Sequence, residues 1–276
     1  MKNVSSDEWA GDFKPGHNKG HFLNSWSKAL WLAAPERRFT DFSQIIGELR
    51  EFLAGTEGLV PETNQIVRTL HHFDVKTTEY ILVDYSHLSM EAVHFLLDAS
   101  LRLWDWTDVR KEIEHNIKEE KGLKTRGVPH LEIMRQGYRD ELRIETDGRA
   151  MGPATKAFLG KLRKVFRTES KGFLCGSLVA LEGTAVPEFH TVDHIVTHFC
   201  KLKGQDGYTG KMAEYIDGHK DFEIGHEQGL IDSVEKYITP DQQGKFIKGY
   251  VTVCLTLAEW WRQMASDRMI GVIGKF

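Results

Sequence analysis

Asp217-Gly218-His219-Lys220-Asp221-Phe222-Glu223-Ile224-Gly225-His226 is the stretch on which the reading of this chain turns. His219 and Glu223 stand four residues apart, and Glu223 and His226 three apart. On a helix those steps put all three side chains on one face, one above the next. An imidazole, a carboxylate and a second imidazole can then converge on one point, a donor set suited to ferrous iron, manganese or zinc. The competing reading is a solvated face with incidental histidines, because thirteen histidines in the chain make such spacings easy to obtain by accident. Gly218 and Gly225 are poor helix formers inside this stretch, each costing about 1 kcal/mol relative to alanine. A close-packed neighbour, a distorted turn beside a metal or simple fraying would each account for them.

Outward from that stretch, helical periods dominate. Phe42, Ile45, Ile46, Leu49 and Phe52 mark one apolar face from Asp41 to Ala54. Asn64 is placed to cap a short helix carrying Ile66, Val67 and Leu70. Tyr80 to Leu103 suggests a helix from Thr78 to Leu103, followed after a break by Asp108 to Glu120. Gly122 to Pro129 reads as a loop, and His130 opens a helix to Arg143. Further helices are expected at Thr155–Thr168, Gly172–Glu182, Pro187–Lys201, Lys211–Gln228, Leu230–Tyr237 and Thr239–Gln263. Pro240 falls in the first turn of the last, where a missing amide costs nothing. The run Asp147 to Pro153 is the most linker-like, able to separate a pair of domains or to join helices of one bundle. No alternation for several long strands is visible, although Ile81 to Val83 is ambiguous. The expectation is an all-α bundle in a single domain over 1–276, with a less defined N-terminal extension at 1–35. Trp26, Trp31, Trp104, Trp106, Trp260 and Trp261 are assigned to packing.

Composition narrows the function. Hydrophobic residues make up 41% and charged residues 28%, a folded rather than a disordered profile. Lys plus Arg is 36 against 40 Asp plus Glu, and a net charge of -4 sets up no global attraction for nucleic acid or anionic lipid. The basic run Lys156, Lys161, Arg163, Lys164 and Arg167 reads as the wet face of a helix. No stretch approaches eighteen apolar residues, so no membrane span is expected, and Met1 to Pro15 lacks the apolar core of a secretion signal. A cytoplasmic location is the default. Cys175, Cys200 and Cys254 are too few and too far apart for a disulfide framework or a thiolate zinc cluster, and read as small buried hydrophobes.

Other carboxylates and imidazoles compete for the chemistry. In Asn116 to Gly122, followed by Pro129-His130, Glu120 at a helix end and His130 at the next helix start can approach one centre across a turn. Glu119 is the substitute for Glu120 if the register shifts. Glu182 ends an apolar run, and a buried carboxylate there needs a partner or a metal. His190, His194 and His198 form a rival ladder of four-residue steps. Glu91 and His94 repeat the Glu-x-x-His spacing of Glu223 and His226, and bundle carboxylate sites use two such motifs plus two further glutamates. In that version Glu91 and His94 replace His130 and His219.

Taken together these residues resemble the haem-oxygenase-like di-iron oxidases and oxygenases, which share the helical fold of haem oxygenase and TenA-like proteins but need no haem. The family's Asn-x-x-acid-Glu-x-Gly stretch is matched by Asn116 to Gly122, its next-helix histidine by His130, its glutamate five residues before a proline by Glu182 and Pro187, and its final histidine, acid, histidine by His219, Glu223 and His226. All fall in the right order. Glu223 departs from the pattern, where aspartate is usual, and the longer side chain bears on mono- against bidentate binding.

The resemblance implies a haem-oxygenase-like helical bundle holding two Fe(II) ions, with dioxygen as cosubstrate and an amino-acid-like or fatty-acid-like metabolite as substrate. Manganese in place of iron is left open. The ligands divide into Glu120, His130 and Glu182 for one ion and His219, Glu223 and His226 for the other, with Glu182 as the bridge. Tyr85, Tyr138, Tyr208 and Tyr215 are candidates to stand near the centre. A homodimer is compatible with this reading, and nucleic acid and membrane are not expected as partners. Two readings of other classes stand beside it: a TenA-like metal-independent hydrolase, with Cys175 or Cys200 as nucleophile, and a noncatalytic helical interaction protein.

Overall fold

The computed structural model describes residues 41–273 and, upstream of them, positions 27–29, 31, 32, 34 and 39, with side chains as far as 268. Most of the expected extension at 1–35, with Trp26, lies outside the described residues. From Asp41 onward every regular element among the described residues is helical. They are α1 (Phe42–Ala54), α2 (Gln65–Thr69), α3 (Val75–Arg102), α4 (Thr107–Glu120), α5 (His130–Gln136), α6 (Pro153–Phe166), α7 (Lys171–Leu202), α8 (Gly210–Val234) and α9 (Pro240–Ile273). The starts follow from local chemistry. The side chains of Asp41, Asn64 and Asp74 accept hydrogen bonds from the free amides of the first turns of α1, α2 and α3.

The Asp147–Pro153 stretch joins consecutive elements of the bundle, and Ile81 to Val83 lies inside α3. The expectation fails at two breaks. Gly172–Glu182 and Pro187–Lys201 are one continuous helix, α7, with Pro187 inside it. An internal proline removes one ladder bond and costs about 3 kcal/mol, but Leu178, Val179, Phe189, Val192 and Val196 are buried on both sides of it, and ending the helix would expose them. Lys211–Gln228 and Leu230–Tyr237 likewise merge, because Leu230, Ile231 and Val234 continue the buried face of α8. After α5 the backbone loosens instead into a π-helical turn, Gly137–Leu142, closed by Arg143 in the left-handed region at φ 59°.

α9 is the axis of the core. From Phe246 to Ala265 it is buried on nearly every side, as a helix apolar all round must be. Trp260 stacks on Phe158 with ring centroids 4.3 Å apart, and its indole N–H donates to Thr155 Oγ1 at 3.0 Å. Trp261 is buried beside it and Trp106 stacks on Tyr237, but Trp31 and Trp104 are exposed, contrary to the packing assigned to them. α7 lies against α9 so closely that a Cβ on Gly176 would come 1.8 Å from the Phe246 carbonyl oxygen, and one on Gly249 would come 1.9 Å from that of Phe173. These two glycines let the helix backbones touch. α8 packs on the other flank of α7, with α4 and α5 against α8 and α3 against α4. The site lies where α3, α4, α5, α7 and α8 meet.

Candidate metal centre

The short connection from α4 to α5 sets the first half of the site. Gly122 ends α4 in the left-handed region at φ 103°. Its amide donates to the Glu119 carbonyl at 2.8 Å, and the Leu123 amide reaches back to Lys118 at 3.0 Å. This double back-bond satisfies the last carbonyls of the helix and holds its final turn. A Cβ at Gly122 would meet Val128 backbone at 2.8 Å, so only glycine lets the loop fold back and deliver His130 to the end of α4. Glu120 then stands 3.0 Å from His130 Nδ1.

α8 supplies three groups from one face, as their spacing requires: His219, Glu223 and His226 are all buried. Their donor atoms do not, however, fall in one group. The donor atoms of Glu120, His130 and His219 lie within 4.8 Å of one another, and those of Glu182, Glu223 and His226 form the second such group. Relative to the expected division, His219 and Glu182 have changed places. The reason is the rise along α8. His219 lies two turns before His226, opposite the end of α4, whereas Glu182 of α7 comes in beside Glu223 and His226.

Each imidazole is oriented. A carbonyl only accepts, so His219 Nδ1–H donates to the Tyr215 carbonyl at 2.6 Å and leaves Nε2 facing Glu120 at 3.7 Å. Burial lowers the His219 pKa to about 4, so the ring is neutral and its lone pair is free for a metal. His226 Nε2 lies 2.7 Å from Glu119, while Nδ1 faces Glu223 at 3.1 Å and Glu182 at 3.6 Å. His130 stacks on Phe222, and its buried Nε2 has no hydrogen-bond partner. Asn116 Nδ2 donates to Glu182 Oε1 at 3.2 Å.

Glu119 is not a substitute for Glu120, and both face inward. Its carboxylate is fully buried and touches His226, His115 at 2.9 Å and Lys124 at 2.7 Å. Burial pushes its pKa up, but Lys124 and His226 outweigh that and hold it below the usual range. An acid behind a ligating imidazole fixes the ring and raises its basicity, and losing such a partner weakens metal binding by about 10- to 100-fold. Glu119→Ala is accordingly expected to lower the affinity for added divalent metal in a chelator competition by that order, while the count at saturating metal stays at the wild-type value.

The donor set fits a cation pair. Burial raises the Glu223 carboxyl well above its ordinary value, and the neighbouring Glu182 raises it further. Glu120 and Glu182 are also pushed up by burial, but the neighbouring imidazoles of His130 and His226 respectively bring them below the usual range. Buried like charges in this arrangement are what a divalent ion neutralises.

The rivals point elsewhere. His94, His190 and His194 are exposed, and His198 Nε2 lies 3.2 Å from the Phe73 carbonyl. Glu91 pairs with Arg163 of α6 at 2.8 Å, which also anchors one member of the basic run predicted to be wet. Gly225 has no neighbour within 4 Å of a would-be Cβ and Gly218 meets Phe222 only at 3.4 Å, so neither glycine is demanded by close packing.

A cavity holding about 700 Å³ of empty space, mouth included, opens onto both triads. Leu88, Leu96, Leu131, Leu181, Ala185 and Phe189 give it apolar walls, and Tyr85 and Tyr215 line it. Tyr138 and Tyr208 do not; their hydroxyls donate to the Leu82 carbonyl and to Asp193. Cys175 and Cys200 are buried outside the cavity lining, and burial pushes both thiols up, the reverse of what a nucleophile needs.

The reading of the sequence missed one lining group. Glu188, on α7 beyond Pro187, is a fully buried carboxyl that belongs to neither triad. Its only sequence signal is an acid within the apolar run from Ala185 to Phe189. Burial raises its pKa to about 8, from an ordinary 4.5. Between those values the unfolded chain gives up a proton that the folded chain keeps, so this group's contribution is complete below pH 4.5 and is lost as pH rises through 8. Urea unfolding of Glu188→Gln beside the wild type should therefore shift in favour of the variant as pH rises, by up to about 1.4 kcal/mol per pH unit in that window. A difference independent of pH would contradict the buried, protonated carboxyl.

Fold and site together define an all-helical protein with two carboxylate and imidazole triads able to hold metal ions. The family model described as "Domain of Unknown Function with solved-structure structure (DUF3865)" matches residues 44–267, and the chain belongs to that family. Two crystal structures of a CADD-like protein of unknown function (Npun_F6505) from Nostoc punctiforme PCC 73102 share the fold. One, solved at 2.00 Å, is 25% identical with a TM-score of 0.77 over 82% of this chain and 97% of that one. The other, at 1.35 Å, is 23% identical with a TM-score of 0.75 over 83% and 96%. No curated protein matches the sequence. Among the described residues no helix is long and apolar enough to cross a membrane.

Proposed function

We propose that the protein is a non-haem di-iron oxidase or oxygenase of the haem-oxygenase-like kind, using dioxygen on an amino-acid-like or fatty-acid-like metabolite. The observation that carries this reading is the pair of triads, Glu120, His130, His219 and Glu182, Glu223, His226, buried except for a half-buried Glu120 and opening on one apolar-walled cavity. Carboxylate and imidazole donors without thiolates suit iron, with manganese the nearest substitute. Two bound Fe(II) ions would supply the electrons with which dioxygen is reduced.

The chain's own contribution is positioning and exclusion. The Tyr215 carbonyl and Glu119 hold the two α8 imidazoles with Nε2 of His219 and Nδ1 of His226 turned to the carboxylates. Asn116 orients Glu182. The aliphatic and aromatic walls keep bulk water from the reacting groups and strengthen every polar contact inside. A metal-independent hydrolase of the TenA-like kind finds no support in the buried cysteines.

The test is anaerobic loading with Fe(II), desalting, metal counting and rapid mixing with oxygen. About two irons per chain and a transient absorbing species on mixing are expected from a di-iron site. A chain that retains no iron, or loaded protein inert to oxygen, would overturn the proposal.

A further inference from the structure

Among the described residues, Glu188 is the one carboxyl in the cavity lining outside the two triads. It is 4% exposed. Thr184, one turn earlier on α7, is its hydrogen-bond neighbour. Burial, with the Thr184 bond against it, sets its protonation, and Glu188 in turn helps to raise the Tyr85 phenol of α3 and the Cys254 thiol of α9, both kept neutral chiefly by burial. Among the described residues no lysine or arginine lines the cavity. A substrate carboxylate would therefore find no side-chain cation there and would face Glu188 instead. A substrate ammonium would find an acid with no cation already beside it. Phe189, the next residue, stacks on His219 with centroids 4.3 Å apart, which ties this position to the first triad.

We propose that Glu188 is the specificity residue of the cavity, and that it selects a substrate bearing a basic amine by seating the nitrogen, as an ammonium, against its carboxylate. This rests on the di-iron reading and narrows its substrate class from amino-acid-like or fatty-acid-like to amine-bearing. An incoming ammonium displaces the carboxyl proton to solvent, and an incoming free amine takes that proton itself. Either way the cavity ends with a charge-assisted hydrogen bond and no unpaired charge.

The test compares n-hexylamine, 1-hexanol and hexanoate, three probes of one chain length, by calorimetric titration into anaerobic Fe(II)-loaded protein. Iron is counted on the same samples. The wild type is expected to bind hexylamine at least about tenfold more tightly than hexanol, the advantage of a charge-assisted bond over a neutral one, and to bind hexanoate more weakly than the amine. In Glu188→Gln the amine should lose that advantage, hexanol affinity should stay within about twofold, and the iron count should equal that of the wild type. The wild-type comparison needs no variant, so it decides the matter even if Glu188→Gln fails to fold. With iron in place, an unchanged amine-to-alcohol ratio in Glu188→Gln, a wild-type preference for hexanoate over the amine, or no binding of any probe would overturn the role of Glu188 and leave the di-iron reading standing. Wild-type protein that retains no iron would overturn the di-iron reading itself.

Discussion

His226→Ala is expected to leave the protein with at most one iron per chain and to destabilise it before any metal is added. Of the second triad, His226 contributes the only nitrogen, and its Nδ1 lies 3.1 Å from Glu223 and 3.6 Å from Glu182 while Nε2 lies 2.7 Å from Glu119. Without the ring, the remaining donors are two carboxylates that face each other, with a third acid behind them. Burial depresses the imidazolium, but Glu182 and Glu223 outweigh it and hold its pKa up to about 12. The metal-free protein thus carries a buried cation among acids, and removing one partner of such a cluster costs about 3–5 kcal/mol. The sign of its pH dependence follows. A group raised from 6.5 to about 12 contributes fully below 6.5 and loses its contribution as pH climbs towards 12. The metal-free comparison by urea unfolding is therefore best made at about pH 6, where the imidazolium is complete and the ordinary carboxylates are ionised. His94→Ala and His194→Ala change exposed rings and should leave both stability and iron count as in the wild type. A His226→Ala protein that loads iron and reacts with oxygen like the wild type would refute the ligand assignment.

What could be read from the sequence was what depends on short range. The face shared by His219, Glu223 and His226 needs only the pitch of a helix, and the meeting of Glu120 with His130 needs only a short loop hinged at Gly122. The helical class followed from apolar periods that owe nothing to tertiary contacts. The division of ligands between the two triads depends on how far along α8 the end of α4 and the middle of α7 are docked, and no spacing encodes that. The helix runs through Pro187 for a related reason. Its local cost is fixed by its own chemistry, but the apolar burial that outweighs it comes from neighbouring helices. Sequence alone sets Glu119 against Glu120, because adjacent helical residues diverge by about 100° and a shift of register exchanges them. At a helix end flanked by α5 and α8 both directions are interior. Glu188 carries only a weak signal, since one acid in an apolar run is equally compatible with a surface turn.

The second large effect concerns the backbone contact that places Glu182. Gly176→Ala is expected to cost at least about 1–3 kcal/mol, the range for overpacking a filled core, and Gly176→Leu to prevent accumulation of folded protein. The added Cβ would meet the Phe246 carbonyl oxygen at 1.8 Å and its carbon at 2.7 Å. No rotamer relieves that, because both sides of the contact are main chain, so α7 and α9 must separate. Separation loosens the packing around Phe246, Tyr250 and Val253, which are buried between the helices of the core. It also moves the segment of α7 that carries Glu182, six residues further on, relative to Glu223 and His226 of α8. Weakened iron binding should therefore accompany the drop in urea midpoint, with the second triad affected first. The control lies on α9 itself. Gly244 has nothing within 4 Å of a would-be Cβ and is helical, so Gly244→Ala should stabilise by up to about 1 kcal/mol through helix propensity. The same substitution thus takes opposite signs at two glycines in paired helices, decided by whether a carbonyl stands where the methyl must go. Equal effects at both positions would mean that α7 and α9 do not touch through their backbones, and the placement of Glu182 would lose its physical basis.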